Sequence, residues 1–444
     1  MRISVPSLLV SIVCFTANAA SPKSTNPKPV SGPITLEQAY DLTLSSDQSI
    51  RKAFLEVRKA DLLPLSALTK LTPRLNGSYS YDRSETKISP VDAPFRDSRK
   101  GNSGASLSLD QPLIDFSAFP ARRRGKIEAQ SSRYARSYTI RETLFGVADA
   151  YYEVLKQERL LEVNRQSLEL ASQQEQLAQK RADVGEVTRS DVLRAQVSVE
   201  TARRSLIASE NTLELSRNTL RNILNLSPDA PLHLVEPPAY NHNKQAFDDL
   251  LQTAWQKRED LMERALAIQE SEERRKEIIA QYGPKVVASA DRSFARSSGT
   301  GAGKTEAWSA AISVQIPFFT GGQREIDLAT SRYNIDQSVL EKERLSKTIE
   351  AQVKQAWLAV RALDSSLRAT QVQLQAAEQG YTDIQNQYSA GIAKSVDVLS
   401  ALKDLNSARA DLAGLTLDYQ VALRSLEEVT GTFQETRVKQ ASVK

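Results

Sequence analysis

Apolar residues recur at every seventh position along most of this chain. Val163, Leu170, Leu177 and Val184 form one seam, and Val192, Val199, Leu206, Leu213 and Leu220 form a second. Further on, Val353, Val360, Leu367, Leu374, Tyr381 and Tyr388 are followed by Val398, Leu405, Leu412, Tyr419 and Leu426. Sustained heptads predict long helices packed along their length as left-handed coiled coils. The pattern breaks at Val184–Leu193 and again at Ala390–Leu399. Gly185 and Gly391 hold matching places in these breaks, as do Asp191 and Asp397, at one step of 206 residues (391 − 185 = 206). Glycine after a helical run reads as a left-handed C-terminal stop. Ser190 or Asp191, and Ser395 or Asp397, can serve the N-terminus that follows. Each break is a helix–turn–helix tip. Two copies of one plan mean duplicated halves, since a solenoid needs at least three units.

A period of two appears elsewhere. Leu75, Gly77, Tyr79 and Tyr81 alternate with Asn76, Ser78, Ser80 and Asp82, and Ala105, Leu107 and Leu109 with Ser106, Ser108 and Asp110. In the second half Val286, Ala288 and Ala290, then Trp308, Ala310, Ile312, Val314 and Ile316, do the same. Four strands with one apolar and one polar face are expected, at about 73–83, 103–112, 284–294 and 306–317. Pro73, Pro112, Pro284 and Pro317 mark their limits. A helical pattern precedes each hairpin. The first runs from a capping box at Thr35 and Gln38 to about Leu71, interrupted near Pro64, and the second runs from about Lys244 to Gln281.

The expected organisation follows. Residues 1–19, with an apolar run from Val5 to Phe15 and Ala17-Asn18-Ala19, read as a signal peptide. A flexible leader (20–33), a first repeat (34–226, tip about 184–191), a linker (227–243), a second repeat (244–432, tip about 390–397) and a flexible C-terminal tail (433–444) complete the chain. As one helix, Leu113–Val184 would reach roughly 105 Å. Four strands cannot close alone, because the smallest membrane barrels need about eight. An open sheet edge cannot stand in lipid, so the strands must join a barrel shared between copies. The fold class is mostly α with a membrane β-barrel contribution.

The paired Gly-x(5)-Asp-Val-Leu tips, the duplicated plan and the segments Gln111–Asp115 and Ile316–Gly322 resemble the TolC family of outer-membrane channels. The resemblance spans about 34 to 432. It implies a homotrimer in the outer membrane, with a twelve-stranded barrel continued by a helical tunnel through the periplasm. The implied partners are a periplasmic adaptor, an inner-membrane transporter of the resistance-nodulation-division, ABC or major-facilitator type, and outer-membrane lipid. By position, Tyr388, Asp397, Asp191 and Ser190 match members of a periplasmic gate. Gly185, Glu186 and Val187, and Gly391, Ile392 and Ala393, match adaptor-contact tips, and the four prolines the barrel–tunnel junction. Two departures stand out. Ser400 occupies the place of a second ring aspartate and Ala393 that of a gate arginine, leaving Lys394 as a substitute cation.

Composition narrows the alternatives. Net charge is +4, and Arg122-Arg123-Arg124, the one compact basic cluster, has no interleaved aromatics, which argues against nucleic acid. The only cysteine, Cys14, falls in the signal peptide. Ser298–Thr305 approaches a phosphate-binding loop, but a strand rather than a helix is expected after it. His233 and His242 have no ligand cluster beside them. No nucleophile–base set stands out, so neither an enzyme nor a cofactor is expected. The rival reading is a secreted or periplasmic coiled-coil or adaptor protein without channel activity, which would not need four strands of alternating polarity.

Overall fold

The computed structural model describes residues 32–88, 96–238, 245–299 and 302–443. The expected signal peptide, nearly all of the leader, and His242 lie outside them. Three short helices open the chain: α1 (Leu36–Ser46), α2 (Gln48–Ala60) and α3 (Leu63–Leu68). The Thr35 hydroxyl accepts from Gln38 N–H at 3.3 Å while Gln38 Oε1 accepts from Thr35 N–H at 2.9 Å, the reciprocal cap expected there. Asp47 starts α2 by accepting from Ile50 N–H at 2.9 Å, so the pattern breaks there as well as near Pro64.

The antiparallel hairpin β1 (Arg74–Ile88) and β2 (Arg96–Asp115) follows, then α4 (Ala118–Asp183) and α5 (Arg189–Ile223). The second half runs α6 (Phe247–Lys257), α7 (Glu259–Gln281), β3 (Lys285–Gly299), β4 (Gly303–Gln315), α8 (Gln323–Ser389) and α9 (Ser395–Val429). The chain ends in α10 (Glu435–Val443). α5 and α9 begin and end at one offset (395 − 189 = 206 and 429 − 223 = 206). At 66 and 67 residues, α4 and α8 each span roughly 100 Å.

Three expectations need correction. The strands run further from the helices than alternation suggests, because the β1–β2 ladder continues through polar residues to Ile88↔Arg96. Pro112 does not end β2. It sits at a register shift between Pro112 and Ile114, where its missing N–H interrupts the ladder, and strand resumes to Asp115, so α4 starts only at Ala118. Residues 433–443 form no loose tail: Phe433 is fully buried, its ring edge-on to Tyr40 and Phe145, and Val438 is buried too. Arg437 pairs with Glu37 and Asp41 and fixes α10 against α1.

The long helices position everything else. Toward the tips α4 packs on α5 and α9, and α8 on α9; toward the sheet α4 packs on α7, α2 and α3, and α7 on α8. The heptad residues Val199, Leu213, Leu220, Val353, Val360, Val398, Leu405 and Leu426 are buried in these seams. A ring of buried side chains around Tyr40, Leu144, Tyr151 and Phe433 gathers α1, α10 and the middle of α4. The Tyr151 hydroxyl donates to the Ile34 carbonyl oxygen at 2.8 Å and accepts from Val235 N–H at 3.0 Å, tying the inter-repeat linker to the start of the first repeat. There Ile34 and Leu234 form a parallel bridge.

After α5 the left-handed position is Asn225 (φ 53°), and after α9 its counterpart is Gly431 (φ 73°). A Cβ on Gly431 would stand 3.0 Å from the Lys257 backbone. Gly431→Ala is expected to cost about 1–2 kcal/mol from backbone conformation alone, with the contact adding to it. Asn225→Gly should change stability by less than about 0.5 kcal/mol. Thermal unfolding midpoints of the two variants check the asymmetry.

Candidate functional site: the paired helical tips

Both tips are built by one hydrogen-bond scheme. Gly185 N–H donates to Ala182 O at 3.0 Å and Glu186 N–H to Arg181 O at 2.9 Å. In the second tip Gly391 N–H donates to Tyr388 O at 3.0 Å and Ile392 N–H to Gln387 O at 2.8 Å. Gly185 (φ 81°) and Gly391 (φ 79°) are left-handed, so each helix ends in a Schellman-type turn.

The restart differs between the halves. Thr188 caps α5, with its hydroxyl accepting from Asp191 N–H at 3.3 Å. Asp191 Oδ2 accepts in return from the Thr188 N–H at 3.1 Å and hydroxyl at 2.7 Å. These bonds, with Arg194 at 3.6 Å, hold the Asp191 carboxyl below the usual carboxylate range. In the second tip Asp397 Oδ2 accepts from Lys394 N–H at 3.1 Å. Within one protomer both aspartates therefore cap their helices. Ser190 is exposed and caps nothing, and Ser395 is buried. Lys394, Ser400, Gly185, Glu186 and Gly391 are exposed, Ile392 is 76% exposed, and Val187 and Ala393 are half-buried.

Tyr388 lies inside the seam rather than on the surface, in a cluster with Tyr381, Val398 and Leu402. Its hydroxyl meets no hydrogen-bond partner among the described residues. Sequence reasoning missed Arg181. The Arg181 guanidinium lies 4.6 Å from the Tyr388 ring centroid and donates to the carbonyl oxygens of Tyr388 and Ser389, the latter at 2.7 Å. Glu186 stands 3.5 Å from its Nε. One side chain from the end of α4 thus binds the last carbonyls of α8, where the helix dipole favours a cation, and clips the two tips together.

At the opposite end of the molecule the sheet order is β1-β2-β3-β4. Pro73 and Pro284 immediately precede β1 and β3, and Pro317 follows β4. Leu75, Tyr79, Leu107, Leu109, Trp308, Ile312 and Val314 share one sheet face and are exposed, Trp308 by 81%. Among the described residues β1 and β4 each pair on one side only. The lateral helices also carry exposed apolar residues. On α8 these are Ile326, Tyr333 and Leu340, seven apart, with Leu358 and Val372; on α5 they are Leu193, Val197, Ile207 and Leu215.

A stack of long helices thus ends in two clipped tips and carries, at its other end, a sheet whose outer strands pair on one side only among the described residues. The profile of the family described as "Outer membrane efflux protein" matches residues 39–226 and 250–432. The chain belongs to that family. It is 24% identical over 414 residues to the alkaline protease secretion protein AprF of Pseudomonas aeruginosa, covering 90% of this chain and 85% of the relative. The outer membrane protein TolC of Escherichia coli is 24% identical over 418 residues, covering 90% and 83%. The fold matches the CmeC outer membrane channel of Campylobacter jejuni with a TM-score of 0.73 at 16% identity, over 92% of this chain and 89% of that one. The protein is an outer-membrane channel of the efflux and type I secretion class, and its fold is that of a transport channel.

Proposed function

We propose that three copies close into one duct that carries cargo from an inner-membrane transporter, through a periplasmic adaptor, across the outer membrane. The observation that carries this reading is that both flanks of the protomer are unfinished. Among the described residues β1 and β4 have free ladders, and α8 on one flank and α5 on the other carry exposed apolar residues. Joining β4 of one copy to β1 of the next leaves no edge in lipid. Repeating one flank-to-flank contact around an axis closes a ring. Four strands from each of three copies make a twelve-stranded barrel. The transporter is of the resistance-nodulation-division, ABC or major-facilitator type, and no catalytic step belongs to this chain.

The tips are then the periplasmic entrance. Gly185–Val187 and Gly391–Ala393 offer exposed turns to the adaptor. Asp191, Ser190, Asp397, Ser400 and Lys394 surround the aperture, with Tyr388 buried in the seam behind them, and Pro73, Pro112, Pro284 and Pro317 mark the junction of barrel and tunnel. Threefold symmetry brings three Asp397 carboxylates around one axis, a ring that attracts cations. Asp397→Asn removes that charge and keeps an oxygen for the Lys394 N–H. It is expected to weaken block of single-channel current by multivalent cations at least about tenfold. Unchanged block would remove Asp397 from the pore.

The adaptor assignment is tested by photo-cross-linking from Glu186 and Ile392 in cells. Capture of a periplasmic adaptor at both positions is expected. No adaptor captured at either position would remove these turns from the contact.

A further inference from the structure

We propose that the outward face of the β3–β4 hairpin, at the end away from the helices, binds the phosphate groups of an anionic lipid in the outer leaflet. Its ligands are Arg292, Arg296 and Lys304. The proposal rests on the barrel reading above, which turns this sheet face to lipid.

Register places the cations. Leu109 pairs with Ala290 and Ala290 with Ala310, so the face that carries Leu109 also carries Arg292, Phe294 and Arg296 on β3 and Lys304, Glu306 and Trp308 on β4. All six are exposed. Arg292 stands between Leu107 and Trp308, in the middle of an apolar face. Its guanidinium lies 4.8 Å from the Phe294 ring centroid, two residues nearer the outer rim. A long cationic side chain that leans along an aromatic ring toward the polar boundary is snorkelling. From Val286 to Arg296 the strand rises roughly 25 Å along the barrel axis at ordinary tilt, the height of the apolar band. Arg296 therefore sits at the far interface, with Arg292 reaching toward it.

Arg296 and Lys304 are direct cross-strand partners. Like charges directly opposite one another destabilise a sheet. None of Arg292, Arg296 and Lys304 makes an ion pair among the described residues. Glu306, opposite Phe294 on the same face, supplies one carboxylate against three cations. An anion held between Arg296 and Lys304 relieves the repulsion and leaves the patch balanced. Trp308, Ile312 and Val314 continue the same face toward the helices as an apolar track. A phosphate that carries acyl chains fits cations and track together, whereas free phosphate uses only the cations.

The test measures heat dissociation of the purified trimer in detergent, alone and with three additives. These are a bisphosphorylated lipid A-type glycolipid, the same glycolipid without phosphates, and inorganic phosphate. The phosphorylated glycolipid is expected to raise the midpoint by roughly 5 °C, and the other two to leave it in place. Arg292→Ser, Arg296→Ser and Lys304→Ser combined should abolish that rise. Arg296→Glu is the second variant. By pairing with Lys304 it should raise the midpoint in detergent alone while losing most of the lipid-induced rise, opposite signs that a folding defect cannot produce. Equal rises in wild type and the triple variant, or with the dephosphorylated glycolipid, would overturn the proposal, as would an equal effect of inorganic phosphate. Conductance of the same samples in bilayers reads the pore separately. Conducting trimers indifferent to the glycolipid refute this proposal and leave the channel reading standing.

Discussion

Arg181→Ala is expected to unlatch the paired helical tips. The substitution removes two charge-assisted hydrogen bonds to the carbonyl oxygens of Tyr388 and Ser389, and a cation stacked 4.6 Å from the Tyr388 ring centroid. Bonds of this kind contribute about 1.5–3 kcal/mol each, and a largely desolvated cation–π contact about 1–2 kcal/mol. The Arg181 side chain is only 15% exposed, so water does not replace these contacts freely. Taking half of the gross sum, about 3 kcal/mol, local opening around Gly391 becomes roughly 100-fold more favourable. Amide exchange at 390–393 should accelerate by that factor, and resting conductance of the channel should rise. Arg181→Lys keeps the charge but cannot fork across two carbonyls, so it should fall between. Unchanged exchange in Arg181→Ala would mean that the tips are held by the seam alone.

Arg141→Met is expected to destabilise the protomer by about 3–5 kcal/mol, the usual result of stripping one partner from a buried ion pair. The Arg141 side chain is 4% exposed and Glu259 10%. Both guanidinium edges are occupied. Arg141 binds Glu259 through Nη2 and, at 3.2 Å, through Nε, while Nη1 donates to Phe433 O at 2.5 Å. This one side chain fastens the middle of α4 to the start of α7 and to the turn before α10. The double variant Arg141→Met, Glu259→Leu should recover most of the loss, because an apolar pair removes the stranded charge. Recovery should stop about 1 kcal/mol short, since Phe433 O still lacks a donor. Urea unfolding of single and double variants reads both numbers. A double variant no better than Arg141→Met would show that the pair is fastened by shape, not by charge.

What the sequence disclosed and what it hid divide along physical lines. Heptad spacing located most of the seams because burial is periodic: Val398, Leu405 and Leu426 are buried, as is Tyr388, whereas Val184, at the end of the first seam, is exposed. The tips were legible because Gly185 and Gly391 need left-handed backbone and recur at one offset. Arg181 was not, because its partners are backbone carbonyls 207 and 208 residues away, and carbonyls leave no trace in residue type. The outer half of the hairpins was hidden for a similar reason. Past Asp82 the ladder is carried by main-chain bonds between polar residues such as Ser84 and Lys100, with no alternation to betray it. Of Ser190 and Asp191, the two candidates at the start of α5, Asp191 does take part in the cap, but its partner Thr188 was not singled out, a position that only geometry decides. At the C-terminus the sequence offers one aromatic and two valines as anchors, too few to announce a helix that docking creates.

The account stands on the protomer being a third of a closed tube. Native mass spectrometry of the detergent-extracted protein, with single-channel recording on the same preparation, tests that most directly. The account predicts particles of three chains, none smaller, that conduct in planar bilayers. A water-soluble particle of one processed chain, stable and silent in bilayers, would contradict it.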